Sequence, residues 1–172
     1  MILSRIILAS ASPRRLELLR SIGLDVEVVP STYAEPAIEH LSPRDLAIAH
    51  AREKALDVFS RRTDLPIVAS DTVVDVDGVA YGKPTDARDA ERMLRTLSTR
   101  MHTVHTAFTF LDHKSSTDVA GIESTSVRFF PLSDEEISSY VASREPMDKA
   151  GAYGIQGIGA TLVERIDGDF YT

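Results

Sequence analysis

Short apolar runs alternate along the chain with longer segments that are apolar on one side only. The run at residues 6–8 predicts a buried strand, and residues 13–22 place Leu16, Leu19 and Ile22 on one face of a helix. Further strands are predicted at residues 24–29, 66–75, 102–111, 119–130 and 161–166, and further helices at residues 43–60, after Thr85, and at residues 133–144. Because this order mixes helical crossovers with hairpins, we expect an α/β fold with a mixed twisted sheet flanked by helices.

Turn and cap residues mark where several of these elements begin. Asp77-Gly78 between valines predicts a tight hairpin turn. Thr85 is the predicted N-cap of one helix, and Ser133 with Glu136 predicts a capping box at the start of another.

The periodicity also predicts which side chains share a face of an element. The helix after Thr85 should bury Ala90, Met93, Leu94 and Leu97, and the strand at 102–111 should group Val104, Thr106, Phe108 and Phe110 on one side.

Composition narrows the classes of protein that the chain can belong to. Its 172 residues predict one domain over residues 1–172, with room for two lobes, and 43% are hydrophobic. A net charge of −7 excludes an overall basic field, so we expect no nucleic-acid and no membrane partner. The absence of cysteine excludes disulfides and thiolate metal sites. No apolar run approaches the roughly 20 residues that span a bilayer, and no signal-peptide pattern is present, so a cytoplasmic protein is expected.

The segment Ser10-Ala-Ser12-Pro13-Arg14-Arg15 follows the first strand directly and predicts an anion site. Pro13 suits the first helical position, with Ser12 as its cap, and the free N–H groups of a helix N-terminus attract phosphate. Arg14 and Arg15 add donors whose geometry matches phosphate oxygens. The alternative is an ordinary capped surface helix whose arginines are solvated.

Two charged residues occupy positions that the apolar pattern assigns to the interior. Lys54 falls on the apolar helix face of Ala47, Ala51, Ala55 and Val58. It must therefore extend its ammonium to solvent or meet a ligand phosphate or a buried carboxylate.

Asp71 interrupts a valine-rich strand that is apolar on both faces. Aspartate is rarely buried without a partner, so either a structural ion pair or a functional carboxylate is expected, and we favour function.

Two further segments carry weaker signals. Lys83 precedes Pro84 at the end of the hairpin, where proline fixes an extended backbone, but most such lysines are solvated. Residues 148–157 are too rich in glycine for a helix or a regular strand, and Gln156 offers an amide that can read a base edge. A flexible surface loop is the alternative for that segment.

Taken together and in this order, these stretches resemble the Maf family of nucleoside triphosphate pyrophosphatases over nearly the whole chain. The matching stretches are Ser10-Ala-Ser12-Pro13-Arg14-Arg15, Glu35, Lys54-Ala55, Ser70-Asp71-Thr72-Val73-Val74, Gly82-Lys83-Pro84 and Lys149-Ala150-Gly151-Ala152-Tyr153-Gly154-Ile155-Gln156-Gly157. The resemblance implies two lobes around a central nucleotide-binding cleft, as in inosine triphosphate pyrophosphatases. It also implies a homodimer.

The resemblance further implies a hydrolase acting on acid anhydrides in nucleotide-pool house-cleaning. Triphosphates would be cleaved between the α- and β-phosphates with a divalent cation, Mg²⁺ first and Mn²⁺ or Co²⁺ as alternatives. The Asp71-Thr72 pair and the segment ending at Gln156 are similar to the branch that acts on dTTP and UTP, so modified pyrimidine nucleotides are also candidate substrates.

By this resemblance Asp71, Lys54 and Lys83 are the expected catalytic residues, and Glu35 with Asp71 would hold the metal. Substrate binding would involve Ser10, Ser12, Arg14, Arg15, Thr72 and Gln156. The residues fit this chemistry on their own terms, because a triphosphate must be neutralised before water reaches phosphorus. Competing hypotheses are a nucleotide-binding regulator of cell division without turnover, and a phosphomonoesterase, for which Ser10 and Ser12 lack an evident base.

The sequence departs from the family pattern at two places. Ala107 stands where a glycine is common, and the added methyl group is expected to crowd the strand or its neighbour. The chain also stops at Thr172, whereas the family usually continues through Asn-Val-Val-Gly-Leu-Pro into a last helix. The five histidines, at positions 40, 50, 102, 105 and 113, are scattered and are interpreted as structural or solvated, with no zinc site.

Overall fold

The computed structural model describes residues 5–38 and 40–172. In this part of the chain, four α-helices accompany seven strands. The helices are α1 (Pro13–Ser21), α2 (Pro43–Phe59), α3 (Ala87–Leu97) and α4 (Asp134–Ala142). The strands are β1 (Arg5–Leu8), β2 (Asp25–Val28), β3 (Ile67–Val76), β4 (Val79–Tyr81), β5 (Met101–Asp112), β6 (Thr117–Phe129) and β7 (Val163–Asp167).

The seven strands form one mixed sheet, which confirms the predicted α/β class. Their hydrogen-bonded order is β2-β1-β3-β5-β6-β7, with β4 paired to β3 at the hairpin. β1 is parallel to both β2 and β3, whereas β4 is antiparallel to β3 and β7 is antiparallel to β6. Within the described ranges, no helix is both long enough and apolar enough to cross a membrane.

The chain divides into two compact units. The first contains Met1–His40, Asp45–Asp71 and Ala107–Ile122, and the second contains Leu41–Arg44, Thr72–Thr106 and Glu123–Thr172. In the first unit α2 buries Ala55 and Val58 against Ile7, Ile67 and Leu111. In the second, the predicted face of α3 is confirmed, because Ala90, Met93, Leu94 and Leu97 are buried together with Phe129 and Ile137.

The first helix begins at Pro13 as predicted, but Ser12 does not cap it through its side chain. Ser12 is extended, as the following proline requires, and its backbone N–H donates to the Ser10 hydroxyl at 3.2 Å. Leu16 and Leu19 pack on the first strand, whereas Ile22 is 70% exposed because the helix ends one residue earlier.

Of the three other turn and cap predictions, two are confirmed and one is wrong. Asp77 and Gly78 both have positive φ, 53° and 82°, as a two-residue hairpin turn requires. Ser133 forms the predicted capping box, which opens α4. Thr85, however, does not cap α3. The N-cap is Asp86, whose carboxylate accepts from the Asp89 N–H at 2.8 Å.

From Val104 to Leu111 the burial of β5 alternates, and Val104, Thr106, Phe108 and Phe110 share the less buried side, which agrees with the predicted grouping. Phe108 is 44% exposed, while His102, His105, Ala107, Thr109 and Leu111 are buried. The core positions of this strand therefore include polar residues, which the sequence pattern does not identify as buried. Ala107 does not interrupt the strand, which continues from Met101 to Asp112.

Candidate active site

Lys54 and Asp71 form a buried ion pair in the first unit. Lys54 lies on the buried face of α2 and is 8% exposed, and Asp71 lies on β3 and is 5% exposed. The Lys54 Nζ donates to Asp71 Oδ1 at 2.6 Å. Of the alternatives for Lys54, the ammonium therefore meets a buried carboxylate and does not extend to solvent. The attraction between the two charges offsets part of the cost of burying each of them.

Glu35 contacts the same ammonium from a loop. Its Oε1 lies 2.6 Å from Lys54 Nζ, and its side chain is 41% exposed. Since the Glu35 and Asp71 oxygens are equally close to one nitrogen atom, they can be no farther apart than twice that distance. Two carboxylates from segments far apart in the sequence thus converge on one point.

Arg15 brings a third element to this point. Its Nη1 donates to the Ser70 carbonyl oxygen at 2.9 Å and to the Ser10 hydroxyl at 3.2 Å, so α1 is connected to the residue that precedes Asp71. Burial lowers the pKa of the Arg15 guanidinium, whereas the nearby charge of Asp71 raises it. An arginine remains protonated in proteins, so this position carries a permanent positive charge.

Arg14, half-buried beside Arg15, adds a second cation to the N-terminal end of α1. The positive charge of Arg14 lowers the pKa of Arg15, as a nearby charge of the same sign does. Ser10 accepts from both Arg15 and the Ser12 N–H, and hydrogen bonds from donors orient its hydroxyl without activating it as a nucleophile. The phosphomonoesterase hypothesis gains nothing from this geometry.

The carboxylate pair fits a divalent cation that shares its coordination with a substrate. Within residues 5–38 and 40–172, no group of three or more His, Cys, Asp or Glu side chains is arranged to hold a metal ion by itself. Magnesium, however, is commonly bound by one or two carboxylates together with substrate phosphates and water. Glu35 and Asp71 provide such a pair of oxygen donors.

Thr72, Lys83 and Gln156 belong to the second unit. The Thr72 hydroxyl lies 2.9 Å from that of Thr106, and Lys83 and Gln156 are exposed. The Gly151 N–H donates to the Gly82 carbonyl oxygen at 3.0 Å, so the turn before Lys83 contacts the glycine-rich segment. That segment is more regular than predicted, because it contains a short 3₁₀ turn at Ala150–Ala152 and a second one, Ile158–Leu162, follows it directly.

The sequence analysis missed the side chains that hold the Glu35 loop. Tyr33 contacts His50 at 3.2 Å, and Ser31 and Thr32 donate to Asp57. The spacing of His50, Lys54 and Asp57 on one helix face was the available signal.

Comparison with known proteins identifies the family. The family model described as Maf-like protein matches residues 5–172. The chain belongs to the Maf family. A dTTP/UTP pyrophosphatase of Carboxydothermus hydrogenoformans is 46% identical over 97% of this chain and 89% of its own length. Proteins of the same name from Geobacter sulfurreducens and Methanosarcina mazei are 48% and 47% identical, over 96% and 97% of this chain and 87% and 85% of their own lengths.

Among solved structures, this Maf chain is similar to a HAM1 protein from Coxiella burnetii. The TM-score is 0.49 at 18% identity, and the match covers 94% of this chain and 81% of that chain.

Proposed function

We propose that residues 1–172 act as a nucleoside triphosphate pyrophosphatase that hydrolyses dTTP, UTP and modified pyrimidine nucleotides to the monophosphate and pyrophosphate. The names of the relatives support the reaction, and family membership supports its transfer to this chain. The observation that carries the proposal is the convergence of Lys54 with Asp71 and Glu35, next to Arg15.

The cations of the first unit account for binding of a polyanion by a chain with a net charge of −7. Arg14 and Arg15 lie at the N-terminal end of α1, where the helix dipole also favours phosphate. Lys54 balances the two carboxylates when no substrate is bound. Neutralising the phosphates lowers the repulsion that an attacking water oxygen experiences.

Asp71 is the proposed general base. In the step, the water oxygen bonds to the α-phosphorus, the bond from that phosphorus to the bridging oxygen breaks, and pyrophosphate leaves with the bond electrons. The water proton passes to Asp71 and then to solvent. The Lys54 ammonium donates to Asp71 Oδ1 at 2.6 Å and so orients the carboxylate that accepts the proton.

The proposal includes a divalent cation, Mg²⁺ first and Mn²⁺ or Co²⁺ as alternatives, held by Glu35 and Asp71. A bound cation of this kind supplies charge neutralisation at the phosphate oxygens. The proposal also assigns Lys83 to the phosphates and Thr72, Arg14 and Gln156 to base preference. Replacing Gln156 by alanine should change the ratio of UTP to GTP turnover more than it changes the UTP rate. An unchanged ratio would remove Gln156 from base recognition.

The test is a panel of triphosphates incubated with purified protein and Mg²⁺. Products are separated by anion-exchange chromatography, which distinguishes monophosphate plus pyrophosphate from diphosphate plus phosphate. Pyrophosphate from UTP and dTTP is expected, and no pyrophosphate from any triphosphate would overturn the proposal. Nucleotide binding without any product would instead favour the cell-division regulator.

A matched pair of variants sharpens this test. Asp71→Asn should lower turnover by about 10²–10⁴-fold while UTP binding is retained. Asp112→Asn is the control, because this carboxylate at the end of β5 accepts from the Lys114 N–H and the Ser115 hydroxyl. Its turnover should stay within about twofold of the parent. Equal losses in the two variants would mean that Asp71 is not the base.

Sedimentation analysis of the parent protein tests the homodimer that the proposal also includes.

A further inference from the structure

The Glu35 loop, residues 30–35, contains no helix or strand. The chain leaves the sheet after Val29, whose N–H donates to the Leu8 carbonyl oxygen at 3.1 Å. From Pro30 onwards the loop is held by side chains of α2 and by Arg61, which follows that helix. The position of the exposed Glu35 side chain therefore depends on contacts that lie outside the site itself.

Asp57 makes the largest number of these contacts. Its Oδ2 accepts from the Ser31 hydroxyl and from the Thr32 N–H, both at 2.8 Å, and its Oδ1 accepts from the Thr32 hydroxyl at 3.1 Å. Arg61 donates to the same carboxylate at 3.2 Å and to the Pro30 carbonyl oxygen at 2.9 Å. The Thr32 N–H is the main reason that the pKa of Asp57 falls to about 2, so the carboxylate is ionised at neutral pH.

Two neighbours on the same helix face extend this support. His50 Nδ1 lies 3.2 Å from the Tyr33 hydroxyl, and Lys54 Nζ lies 2.6 Å from Glu35 Oε1. Residues 50, 54 and 57 follow the i, i+4, i+7 spacing, which places them along one side of a helix. The Lys54 stem is long and flexible, whereas Asp57 is short and bonds backbone as well as side-chain donors. Asp57 therefore restricts the loop backbone more than Lys54 can.

At Ser31–Thr32 the chain turns, because the Tyr33 N–H donates back to the Ser31 hydroxyl at 3.1 Å. We propose that Asp57 is a positioning residue, which fixes this turn on α2 and thereby holds Glu35 beside Lys54 and Asp71. The inference rests on the proposed function in one respect, that Glu35 is a ligand of the divalent cation. Asp57 does not touch the substrate. It lowers the conformational freedom that Glu35 must lose when a cation binds.

The first experiment measures binding of Mn²⁺ to the whole protein by titration calorimetry without nucleotide. Asp57→Asn keeps the side-chain shape but converts one accepting oxygen into an NH₂ group, which cannot accept from the turn. Mn²⁺ binding should weaken by about 10-fold, the scale seen when a residue that orients a metal ligand is replaced. The Mg²⁺ concentration that half-activates pyrophosphate release should rise by a similar factor, while kcat at saturating Mg²⁺ changes much less.

Asp64→Asn is the matched control. Asp64 is in the same unit, its pKa also falls to about 2, and its ion-pair partner is Arg62. Its replacement removes the same charge at a site away from the turn, so Mn²⁺ binding should not change. Ser31→Ala removes the other end of one Asp57 contact and replaces Asp57→Asn if that variant does not fold.

A double-mutant cycle separates positioning from a general loss of stability. If Asp57 acts through Glu35, adding Asp57→Asn to Glu35→Gln should cause little further loss of Mn²⁺ binding, because coupled residues are not additive. Full additivity, unchanged Mn²⁺ binding in Asp57→Asn, or no Mn²⁺ binding by the parent protein would each overturn the inference. A weakened Mn²⁺ affinity in a protein that cleaves no triphosphate would instead overturn the proposed function and leave the positioning role standing.

Discussion

Lowering the pH from 7.5 to 5.0 should destabilise the protein by about 2 kcal/mol through His102 alone. His102 lies on β5, is 4% exposed and meets the rings of Phe129 and Tyr153 edge-on, with centroids 5.1 and 5.3 Å away. Its Nε2 is 2.6 Å from the Tyr153 hydroxyl. Burial raises the pKa of Tyr153, so the tyrosine stays neutral, and its hydroxyl shares a hydrogen bond with the imidazole.

The size of the effect follows from the difference between the folded and unfolded pKa values. Burial lowers the pKa of His102 to about 4 from an ordinary value of 6.5. Between these values the unfolded chain binds a proton that the folded protein does not, so the free energy of unfolding rises with pH. The stabilisation is complete above pH 6.5 and is lost as the pH falls. The loss reaches about 2 kcal/mol at pH 5 and levels off near 3 kcal/mol below pH 4.

The assay is urea unfolding followed by circular dichroism at both pH values, for the parent protein and for His102→Gln. The variant cannot titrate at this position and should lose about 2 kcal/mol less than the parent between the two pH values. His113→Gln is the control, because His113 stacks on Phe59 at an exposed position. Asp57 has a pKa of about 2, so its contribution to the free energy of unfolding is lost only at a lower pH than the two compared here. Equal pH dependence of parent and His102→Gln would refute the reasoning.

Three further changes test the packing directly, each by urea unfolding at pH 7.5. Lys54→Met leaves Asp71 buried without its partner and should lower the free energy of unfolding by about 3 kcal/mol. Adding Asp71→Asn to that variant should restore part of this loss, whereas additive losses would contradict the pairing. Gly159→Ala would bring a methyl group against the Gly154 carbonyl oxygen and should cost about 2 kcal/mol of stability. Gly82→Ala is its control, because a methyl group there meets nothing within 4 Å and should change stability by less than about 0.5 kcal/mol. Similar losses in the two variants would contradict the close approach of Gly159 to Gly154. Ser133→Ala removes the capping bond of α4 and should cost about 1 kcal/mol, and no loss would mean that the capping box adds no stability.

Elements whose determinants lie within a few residues were predictable from the sequence. The Asp77-Gly78 turn and the Ser133 capping box depend on backbone and side-chain chemistry inside four residues, and both predictions are confirmed. Where two neighbours were equally suitable, the prediction was wrong by one position. Thr85 and Asp86 are both competent caps, and only the backbone path shows that Asp86 caps α3.

Side-chain partners were less predictable than elements. The pattern indicated that Lys54 and Asp71 occupy buried positions, because each interrupts an apolar face, but it left solvent, phosphate and carboxylate open as partners of Lys54. Alternation grouped the side chains of β5 in agreement with the structure but did not show which side is buried, because His102 and His105 are polar and yet buried. Their burial depends on neighbours such as Tyr153 and Ser124, which lie far away in the sequence.

The periodic elements, the α/β class and the charged residues that conflict with an apolar environment follow from the amino-acid order alone, because they depend on local backbone preference and on the cost of burying charge. The packing of the folded chain is what brings Glu35 and Asp71 to the ammonium of Lys54. It also brings Asp57 to the turn before Glu35. Those contacts join residues from a loop, a helix and a strand, and a hydrogen bond across such separations is set by how the elements pack, which no local pattern encodes.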